Sequence, residues 1–499
     1  MKNTPLVLIF IFLLSAIIGT AQEVTWGPEQ KQTVRNRLDR IIGEDNNGIY
    51  VLKYRAKILG QVMPVIEHYN KKMILKYSTP LKDLSGFNTM VNNAWQFNDE
   101  LYVFFSKYNA RKREQTLFYQ QIDKKTGKLA GKRGRITDVP AFNKVDIGNL
   151  EYAASPDSSR AVIYSSPTMS RGLLQRPKDM AFTIEVVNEK FEKIWDKLVK
   201  LPYREDLFDM VKVDVDKQGN AYVLARVYSG RRQNQRNGEV NYAYKIISYQ
   251  NNGEKLVEYD LDMDNVFITD LTFKVNRDKL TCAGFYSGKK TSNSIKGTCF
   301  FSVDIASQEI VSKKVIAFEE DFLVRLMNKR RARKGKELFR YYLDEIILRS
   351  DGGAVLIGEQ FYVVTNTYNT GGGFNAGQTT TYTYHYEDII VININPDGSV
   401  AWATNVPKEQ QASTTEFSSY AHMIVKGKIH FVYNDRISRR SPVMHATVNT
   451  KGKVSIKELF NNKEVGILTK PILCKQTSRN EMIIYGERGK RFKFGKIEF

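Results

Sequence analysis

The sequence predicts an all-β repeat protein, because one kind of strand pair recurs along the chain. The clearest copy is Asp388–Lys408 (DIIVININPDGSVAWATNVPK), which reads as a strand, a tight turn and a second strand. Similar pairs, with alternating apolar residues around a turn of Gly, Asn, Asp or Lys, lie at Phe118–Arg135, Ile184–Leu201, Lys245–Leu261, Phe300–Ile316 and Met444–Leu459. No long amphipathic helical pattern competes with these strands, so a regular alternation of strands and helices is excluded.

A different strand pair precedes each of these copies. In Val213–Val227 and Leu343–Phe361, for example, the second strand is small and apolar, as expected for a strand buried between two layers. The repeating unit therefore has four antiparallel strands, named A to D in chain order. The units start near residues 39, 88, 150, 211, 270, 343, 420 and 470, at intervals of roughly sixty residues. This pattern is typical of a β-propeller, in which each unit forms one blade.

The two ends of the chain are predicted to share the last blade. After the eighth A-B pair only Arg491–Phe499 remains, which is long enough for one strand. The segment Glu23–Trp26 supplies a fourth strand, because its tryptophan matches Trp195 and Trp402 at the D positions of complete units. Pairing the two ends would remove the open sheet edges of an unclosed ring. We therefore predict a single propeller of eight blades, with seven as the alternative if one weak unit is not a blade.

Residues 1–21 are predicted to be a signal peptide rather than part of the fold. Lys2 gives a positive start, Leu6–Ile18 is an apolar run too short to span a bilayer comfortably, and Gly19–Ala21 offers small residues for cleavage. The propeller is then expected to cover residues 22–499 of an exported protein. Because the chain ends in what should be a structural strand, the periplasm is favoured over secretion beyond the outer membrane.

Two motifs give the chain a resemblance to known proteins. One is the D-x-x-G-x-x-Y-V-L type of A-B turn, as in Asp216–Leu224, and the other is the IIVININPDGSVAW hairpin of Ile389–Trp402. With these motifs the chain resembles exported bacterial β-propeller proteins of the kind common in Bacteroidota. The resemblance covers the whole mature chain. It implies the propeller architecture and no particular activity.

The three cysteines do not make a disulfide framework. Cys282 and Cys299 fall on neighbouring predicted strands, whereas Cys474 lies far along the chain. A disulfide between the first two would need an oxidising compartment and a demanding geometry. Two buried thiols are the alternative, and the sequence leaves both open.

The formal net charge of +21 suggests an anionic partner or surface. In a four-stranded blade the A-B and C-D turns lie at one end and the B-C and D-A connections lie at the other, so charge can be sorted by face. The basic excess falls mostly on the B-C/D-A face. Acidic D-A connections at Tyr203–Asp209, Asp260–Asp264 and Phe318–Asp321 lie on the same face, so internal pairing of the charges is the alternative.

The candidate binding residues lie on the loops of this face. An insertion at about 318–342 is predicted to be helical and basic, with Phe322, Leu323, Leu326 and Met327 as an apolar stripe. A second insertion, at about 362–386, is rich in Gly, Thr and Tyr and is predicted to be a long hairpin or contact loop. The residues assigned to binding are Arg231, Arg232, Lys329, Arg330, Arg331, Arg333, Lys334, Lys336, Tyr382, Tyr384, Arg436, Arg439 and Arg440.

The sequence contains none of the motifs that carry common catalytic chemistry. There is no H-E-x-x-H pair, no G-x-S-x-G elbow and no phosphate-binding loop. No catalytic residue, metal ligand or cofactor is therefore predicted. We expect a non-catalytic binding or scaffold module that docks an anionic polymer, a lipid head group or an acidic protein. Nucleic acid is not an expected partner of an exported protein.

Two other functions fit the sequence. One is a glycan hydrolase or lyase with a site at the central channel, where Asp206, Asp209 and Asp264 would be the carboxylates. The other is a structural subunit of an envelope complex, in which the apolar stripe of the helical insertion would be a docking surface. In either case the partner or substrate would have to be found by experiment, because no motif names it.

Overall fold

The computed structural model describes residues 24–33, 36–56, 61–141, 143, 148–167, 178–236, 238–261, 263, 266–289, 293–370 and 377–499. These residues form eight antiparallel blades, each with four main strands. The prediction of an eight-bladed propeller is therefore confirmed, and the seven-bladed alternative is wrong. The signal peptide predicted at residues 1–21 lies outside the described residues.

The first four blades follow one another along the chain. Blade 1 consists of Asn36–Asp45, Gly48–Ala56, Val62–Asn70 and Leu75–Pro80. Blade 2 consists of Thr89–Phe97, Glu100–Asn109, Glu114–Ile122 and Leu129–Pro140. Blade 3 consists of Asn149–Ala154, Arg160–Ser166, Asp179–Asn188 and Lys193–Arg204. Blade 4 consists of Phe208–Val215, Ala221–Tyr228, Tyr242–Gln250 and Lys255–Asp260.

The next three blades have the same strand order. Blade 5 consists of Phe267–Asn276, Lys279–Ser287, Gly297–Asp304 and Ile310–Ala317. Blade 6 consists of Tyr341–Leu348, Ala354–Thr370, Gly377–Ile394 and Val400–Val406. Blade 7 consists of Ala421–Val425, Lys428–Asn434, Pro442–Val448 and Val454–Asn461.

In each blade the A strand is innermost and the D strand is outermost. The A strands of several neighbouring blades contact each other around the central channel. The B strand of blade 2 is buried from Leu101 to Phe105, whereas the D strand of blade 5, Ile310–Ala317, is largely exposed. This gradient explains the sequence pattern, because a strand covered on both faces reads as a continuous apolar run and an edge strand does not.

The eighth blade is built from both ends of the chain, as predicted. Its A strand is split into Leu468–Thr469 and Lys475–Gln476 by a single 3-10 turn. Glu481–Arg488 and Arg491–Glu498 form the B and C strands. The fourth strand is Val24–Trp26, which pairs antiparallel with the C strand and places Val24 opposite Ile497. The short strand Gln30–Lys31 extends this pairing.

A charge network centred on the buried Lys470 contacts the last blade and the segments next to it. The Lys470 ammonium lies 2.8 Å from both Glu416 and Glu487. Glu487 also accepts hydrogen bonds from Tyr485 at 2.8 Å and from Gln32, in the N-terminal segment, at 3.0 Å. The Lys470–Glu487 pair lies within the last blade, whereas Glu416 comes from the segment before blade 7 and is 45% exposed, so its ion pair contributes about 0–1 kcal/mol.

The tryptophans of the D strands dock onto the next blade. Trp195 of blade 3 donates its indole N–H to the Gly219 carbonyl of blade 4 at 3.0 Å, and its ring lies against Gly253. Trp402 of blade 6 lies over Gly452 of blade 7 in the same way. The recurring tryptophan is therefore a contact between blades, and this contact requires a glycine in the facing turn.

Cys282 and Cys299 are free and fully buried in blade 5. They lie on adjacent strands but two positions out of register, because Cys282 faces Phe301 while Cys299 faces Gly284. Burial raises the pKa of both thiols. The sequence left a disulfide and two buried thiols as alternatives, and the structure shows two buried thiols.

Two additions extend blades 5 and 6 on the B-C/D-A face. The first contains helix α1 (Glu320–Leu326) and helix α2 (Lys329–Arg333), followed by Leu338–Phe339, which pairs with Ser294–Ile295. The second is the distal part of the blade 6 hairpin, whose strands run on to Thr370 and start again at Gly377. Other short elements are helix α3 (Asn462–Val465), the 3-10 turns Lys82–Leu84, Glu205–Leu207 and Pro471–Leu473, and the strands Gln235–Arg236, Glu239–Val240 and Gln410–Ala412.

Candidate functional site

The helical insertion is held against blades 5 and 6 by its own apolar residues. Phe322 and Leu323 of α1 and Ala332 of α2 are buried in a cluster with Phe300 and Tyr341. A helix of this length is not stable in water alone, so its apolar face is needed as an anchor. The idea that Phe322 and Leu323 form a docking stripe for another subunit is therefore wrong, because they belong to the core of this chain.

Glu337 fixes the C-terminal end of the insertion. Its buried carboxylate accepts hydrogen bonds from the Ser287 hydroxyl at 2.8 Å, from the Gly288 backbone N–H at 2.9 Å and from the Ser294 hydroxyl. A buried carboxylate with three donors is satisfied in one geometry, and moving it would leave a charge unpaired. The segment between α1 and Glu337 is thus attached at both ends.

The basic segment between these anchors is exposed. Its only cation with a carboxylate at ion-pair distance, among the described residues, is Arg333, which lies 3.4 Å from Glu320. Both of those side chains are more than half exposed, so the pair contributes little. The cations without an acidic partner are Lys329, Arg330, Arg331, Lys334 and Lys336. Internal pairing therefore does not account for the charge of this segment.

The charges of α2 do not serve the stability of the helix. The Asn328 side chain caps it by accepting a hydrogen bond from the Arg331 backbone N–H at 3.0 Å. The first turn has no acidic residue and begins with Lys329 and Arg330, although a helix N-terminus favours negative charge. A sequence selected only for the stability of this helix would have acids there, so the cations point to a role outside the fold.

On blade 4 the predicted basic residues behave differently. Arg231 is exposed, but Arg232 pairs with Asp209 and lies over the ring of Tyr228, 5.7 Å from its centroid. Asp209 also accepts a hydrogen bond from Arg226 at 3.0 Å. Arg232 thus has an acidic partner and is not one of the unpaired cations, although Asp209 is shared with Arg226 and the three groups together keep one positive charge.

Blade 7 adds three exposed arginines to the same face. Arg436, Arg439 and Arg440 lie on its B-C loop, and none has a carboxylate at ion-pair distance in the part of the chain that the structure describes. The loop is ordered by its serines, because the Ser441 hydroxyl accepts a hydrogen bond from the Arg436 backbone N–H at 2.8 Å. The Ser438 carbonyl in turn accepts one from the Ser441 N–H at 3.1 Å.

The two predicted tyrosines lie on one face of the blade 6 hairpin. Tyr382 stands opposite Thr365 and is 53% exposed. Tyr384 stands opposite Val363 and is half-buried, since the strand Gln410–Ala412 pairs alongside it. Tyr382 is therefore the more accessible of the two for contact with a partner.

The base of the hairpin is rigidly connected to the propeller. The fully buried Lys408 ammonium lies 2.8 Å from Glu359 and donates to the Tyr386 carbonyl at 2.9 Å. At the other side of the base, Phe339 of the helical insertion lies 6.3 Å from Tyr362, centroid to centroid. The hairpin and the helical insertion are thus neighbours, so their exposed residues can contact one partner together.

Two of the three carboxylates suggested for a glycan-active enzyme are bound by arginines. Asp206 accepts two hydrogen bonds from Arg204, at 2.7 and 3.0 Å, and Asp209 is held by Arg226 and Arg232. Asp264, the third candidate, lies outside the described residues.

Side chains that line the central channel had no signature in the sequence. Asp344, on the A strand of blade 6, accepts a hydrogen bond from Tyr420 at the start of blade 7 at 2.6 Å. Surrounding protein desolvates this carboxyl and raises the pKa of Asp344 to about 7. Glu345, the next residue of the same strand, pairs with Lys274 of blade 5 at 2.9 Å. Such residues alternate along ordinary strands, and only the closed ring brings them together.

Among the described residues, no group of three or more His, Cys, Asp or Glu side chains is arranged to hold a metal ion. In the same part of the chain, no helix is long and apolar enough to cross a membrane.

No family model matches this sequence, and no curated protein matches it either. Solved structures with similarity to the chain include prolyl oligopeptidase B from Galerina marginata, at 9% identity over 91% of this chain and 55% of that chain, with a TM-score of 0.42. The WD40 domain of SCAP from fission yeast is 8% identical over 95% of this chain and 98% of that chain, with a TM-score of 0.40. A protein of unknown function from Bacteroides caccae is 13% identical over 76% and 94%, with a TM-score of 0.28.

This chain spans about half the length of the peptidase. No activity, substrate or partner follows from similarities of this size. The fold is established by the strand pairing described above, and the function has to be argued from the surface of the molecule itself.

Proposed function

We propose that this protein is an exported, non-catalytic β-propeller that binds an anionic polymer of the cell envelope through its B-C/D-A face. The observation that carries the proposal is the rigidly anchored insertion with exposed cations that lack acidic partners. We name as the basic docking surface Lys329, Arg330, Arg331, Lys334 and Lys336 of the insertion together with Arg436, Arg439 and Arg440 of blade 7. Arg231 of blade 4 and the hairpin residues Tyr382 and Tyr384 lie on the same face.

An extended ligand suits this surface better than a compact one. The cations occupy the tips of separate blades, so a small anion would contact one group, whereas a polymer can contact several at once. Neutralising several anionic groups releases their counterions, which supplies affinity without a shaped pocket. Tyr382 would add contact area at a low entropy cost. We also propose a location in the periplasm. This part of the proposal rests on the predicted signal peptide.

The test is the retention of residues 22–499 on immobilised heparin, a sulfated polysaccharide, in a salt gradient. The test variant replaces the five unpaired cations of the insertion, Lys329, Arg330, Arg331, Lys334 and Lys336, with Gln. The matched control replaces five exposed lysines on the turns of the opposite face, Lys71, Lys72, Lys125, Lys426 and Lys451, with Gln. Both variants lose the same formal charge, so only the position of the charge differs.

We expect wild-type protein and the control to elute at similar salt, and the insertion variant to elute much earlier. Equal shifts in the two variants would show that net charge alone causes retention and would overturn the docking surface. If the wild-type protein does not bind heparin, the proposal that this surface binds an anionic polysaccharide is overturned. If the protein binds vesicles with anionic lipids but not heparin, the ligand is a lipid surface and not a polymer.

A further inference from the structure

A second charged feature lies at the opposite end of the molecule. A cavity of about 600 Å³ opens at the A-B end of the central channel and is walled by the A strands of blades 3 to 7. Its apolar wall includes Ala153, Val275, Ile347 and Ile424. A volume of this size is typical of a site for a small organic ligand.

The cavity is lined by two lysines and two carboxylates, but only one lysine–carboxylate pair among them is in direct contact. Lys274 is paired with Glu345 at 2.9 Å. Asp214 is buried and hydrogen-bonded to the backbone. Its two oxygens accept hydrogen bonds from the N–H groups of Val215 at 2.9 Å and Val275 at 3.2 Å. Both cavity carboxylates are therefore engaged with groups other than the remaining lysine.

That remaining lysine is Lys212, on the A strand of blade 4. It is half-buried, and in the described part of the chain no carboxylate lies at ion-pair distance from its ammonium. Burial, and then repulsion from Lys274, lowers the pKa of Lys212. A desolvated ammonium without a counter-charge is costly, so such groups are normally paired. The imidazole of His422 lines the same cavity and offers a further polar contact.

We propose that this cavity binds a small organic anion, whose phosphate, sulfate or carboxylate group pairs with Lys212 and whose apolar part lies against Val275, Ile347 and Ile424. An anion at this place would give Lys212 a direct ion pair, whereas Asp214 and Glu345 attract its ammonium only at longer range. It would also relieve the repulsion between Lys212 and Lys274. The site is separate from the basic docking surface, because it lies at the A-B end of the channel.

The experiment is isothermal titration calorimetry of residues 22–499 with phenyl phosphate, inorganic phosphate and benzyl alcohol. The test variant is Lys212→Met, which keeps the length of the side chain and removes its charge. The control is Lys217→Met, on the exposed A-B turn that follows the same strand. The insertion variant described above is a second control, which separates this site from the proposed function.

We expect phenyl phosphate to bind with one equivalent and more tightly than inorganic phosphate, and benzyl alcohol not to bind. Lys212→Met should weaken phenyl phosphate at least about tenfold, the loss expected for one charge-assisted hydrogen bond. Lys217→Met and the insertion variant should bind as the wild type does. Because Met fills the position without a buried charge, the Lys212 variant should melt at the same or a higher temperature.

Absence of saturable binding by the wild type would overturn the proposal, and so would equal affinity of the wild type and Lys212→Met. Loss of binding in the insertion variant as well would assign the phosphate to the basic docking surface and would also overturn it. Retention on heparin and binding in the cavity can therefore fail independently.

Discussion

Two buried histidines in blade 7 give the protein a specific dependence on pH. The Nδ1 atom of His430 lies 3.0 Å from the Nε2 atom of His445, and the ring of Phe499, the last residue of the chain, packs 4.3 Å from the His430 ring. Burial, with repulsion from nearby lysines, lowers the pKa of His430, and burial with repulsion from His430 lowers the pKa of His445. Two protonated imidazoles repel each other at this distance, and burial disfavours a charge on either ring.

The unfolded chain therefore binds protons that the folded chain does not bind, once the pH falls below about 6.5. We expect the wild type to lose stability relative to a His430→Gln/His445→Gln variant from that pH downwards, by up to about 1.4 kcal/mol per pH unit for each histidine. The difference between the two proteins must be measured, because raised carboxyl pKa values, about 7 for Asp344 and about 6 for Asp388, act in the opposite sense. Parallel curves from urea unfolding at pH 7.5, 6 and 5 would contradict the assignment.

At the scale of the strand, the contact between a D-strand tryptophan and the next blade can be tested at its glycine. Gly452 has a φ of 75°, and a Cβ there would lie 2.7 Å from the Trp402 ring. Gly489 has a φ of 61° but no heavy atom within 4 Å of a Cβ. At either position an alanine must adopt the left-handed conformation, which destabilises the folded state by about 1–2 kcal/mol.

We therefore expect Gly489→Ala to cost only that conformational term and Gly452→Ala to cost clearly more, because the indole must also move. Thermal and urea unfolding of the two variants measure the difference. Equal losses would mean that Trp402 is not held tightly on its neighbour.

The elements themselves were largely predictable, and the charge pairs were not. Alternating strands, turn residues and the tryptophans at D positions are local patterns, so they indicated the blades and even the strand contributed by the N-terminal segment. The pairing of Arg232 with Asp209, and the unpaired state of Lys212, depend on which distant segments the closed ring brings together. The burial of Phe322 could not be predicted for the same reason. An apolar stripe has the same sequence pattern whether it packs on its own blade or on a partner.

At the scale of the whole molecule, the two faces of the ring carry different charged features. The B-C/D-A face carries the insertion, the long hairpin and free cations on the tips of separate blades. The A-B end of the channel holds a smaller, partly apolar cavity with one unpaired lysine. An eight-bladed ring separates the two by the length of its strands, so an extended anion and a small one could be bound at the same time.

The integrity of that ring depends on a contact without a covalent link. Trp26 of the N-terminal strand packs edge-on against Phe460 of blade 7 at 5.0 Å, while its strand pairs with the last strand of the chain. Trp26→Ala should lower the free energy of unfolding by about 2 kcal/mol, less than for a fully buried tryptophan because the ring is only half-buried. It should also speed hydrogen exchange in Arg491–Glu498, where the closing strand protects the backbone. Thr25→Ala, an exposed change on the same strand, is the control and should cost less than about 0.5 kcal/mol. If the two variants are equally stable and exchange alike, the pairing of the chain ends does not hold the ring closed, since loss of its largest side chain would then have no effect on the seam.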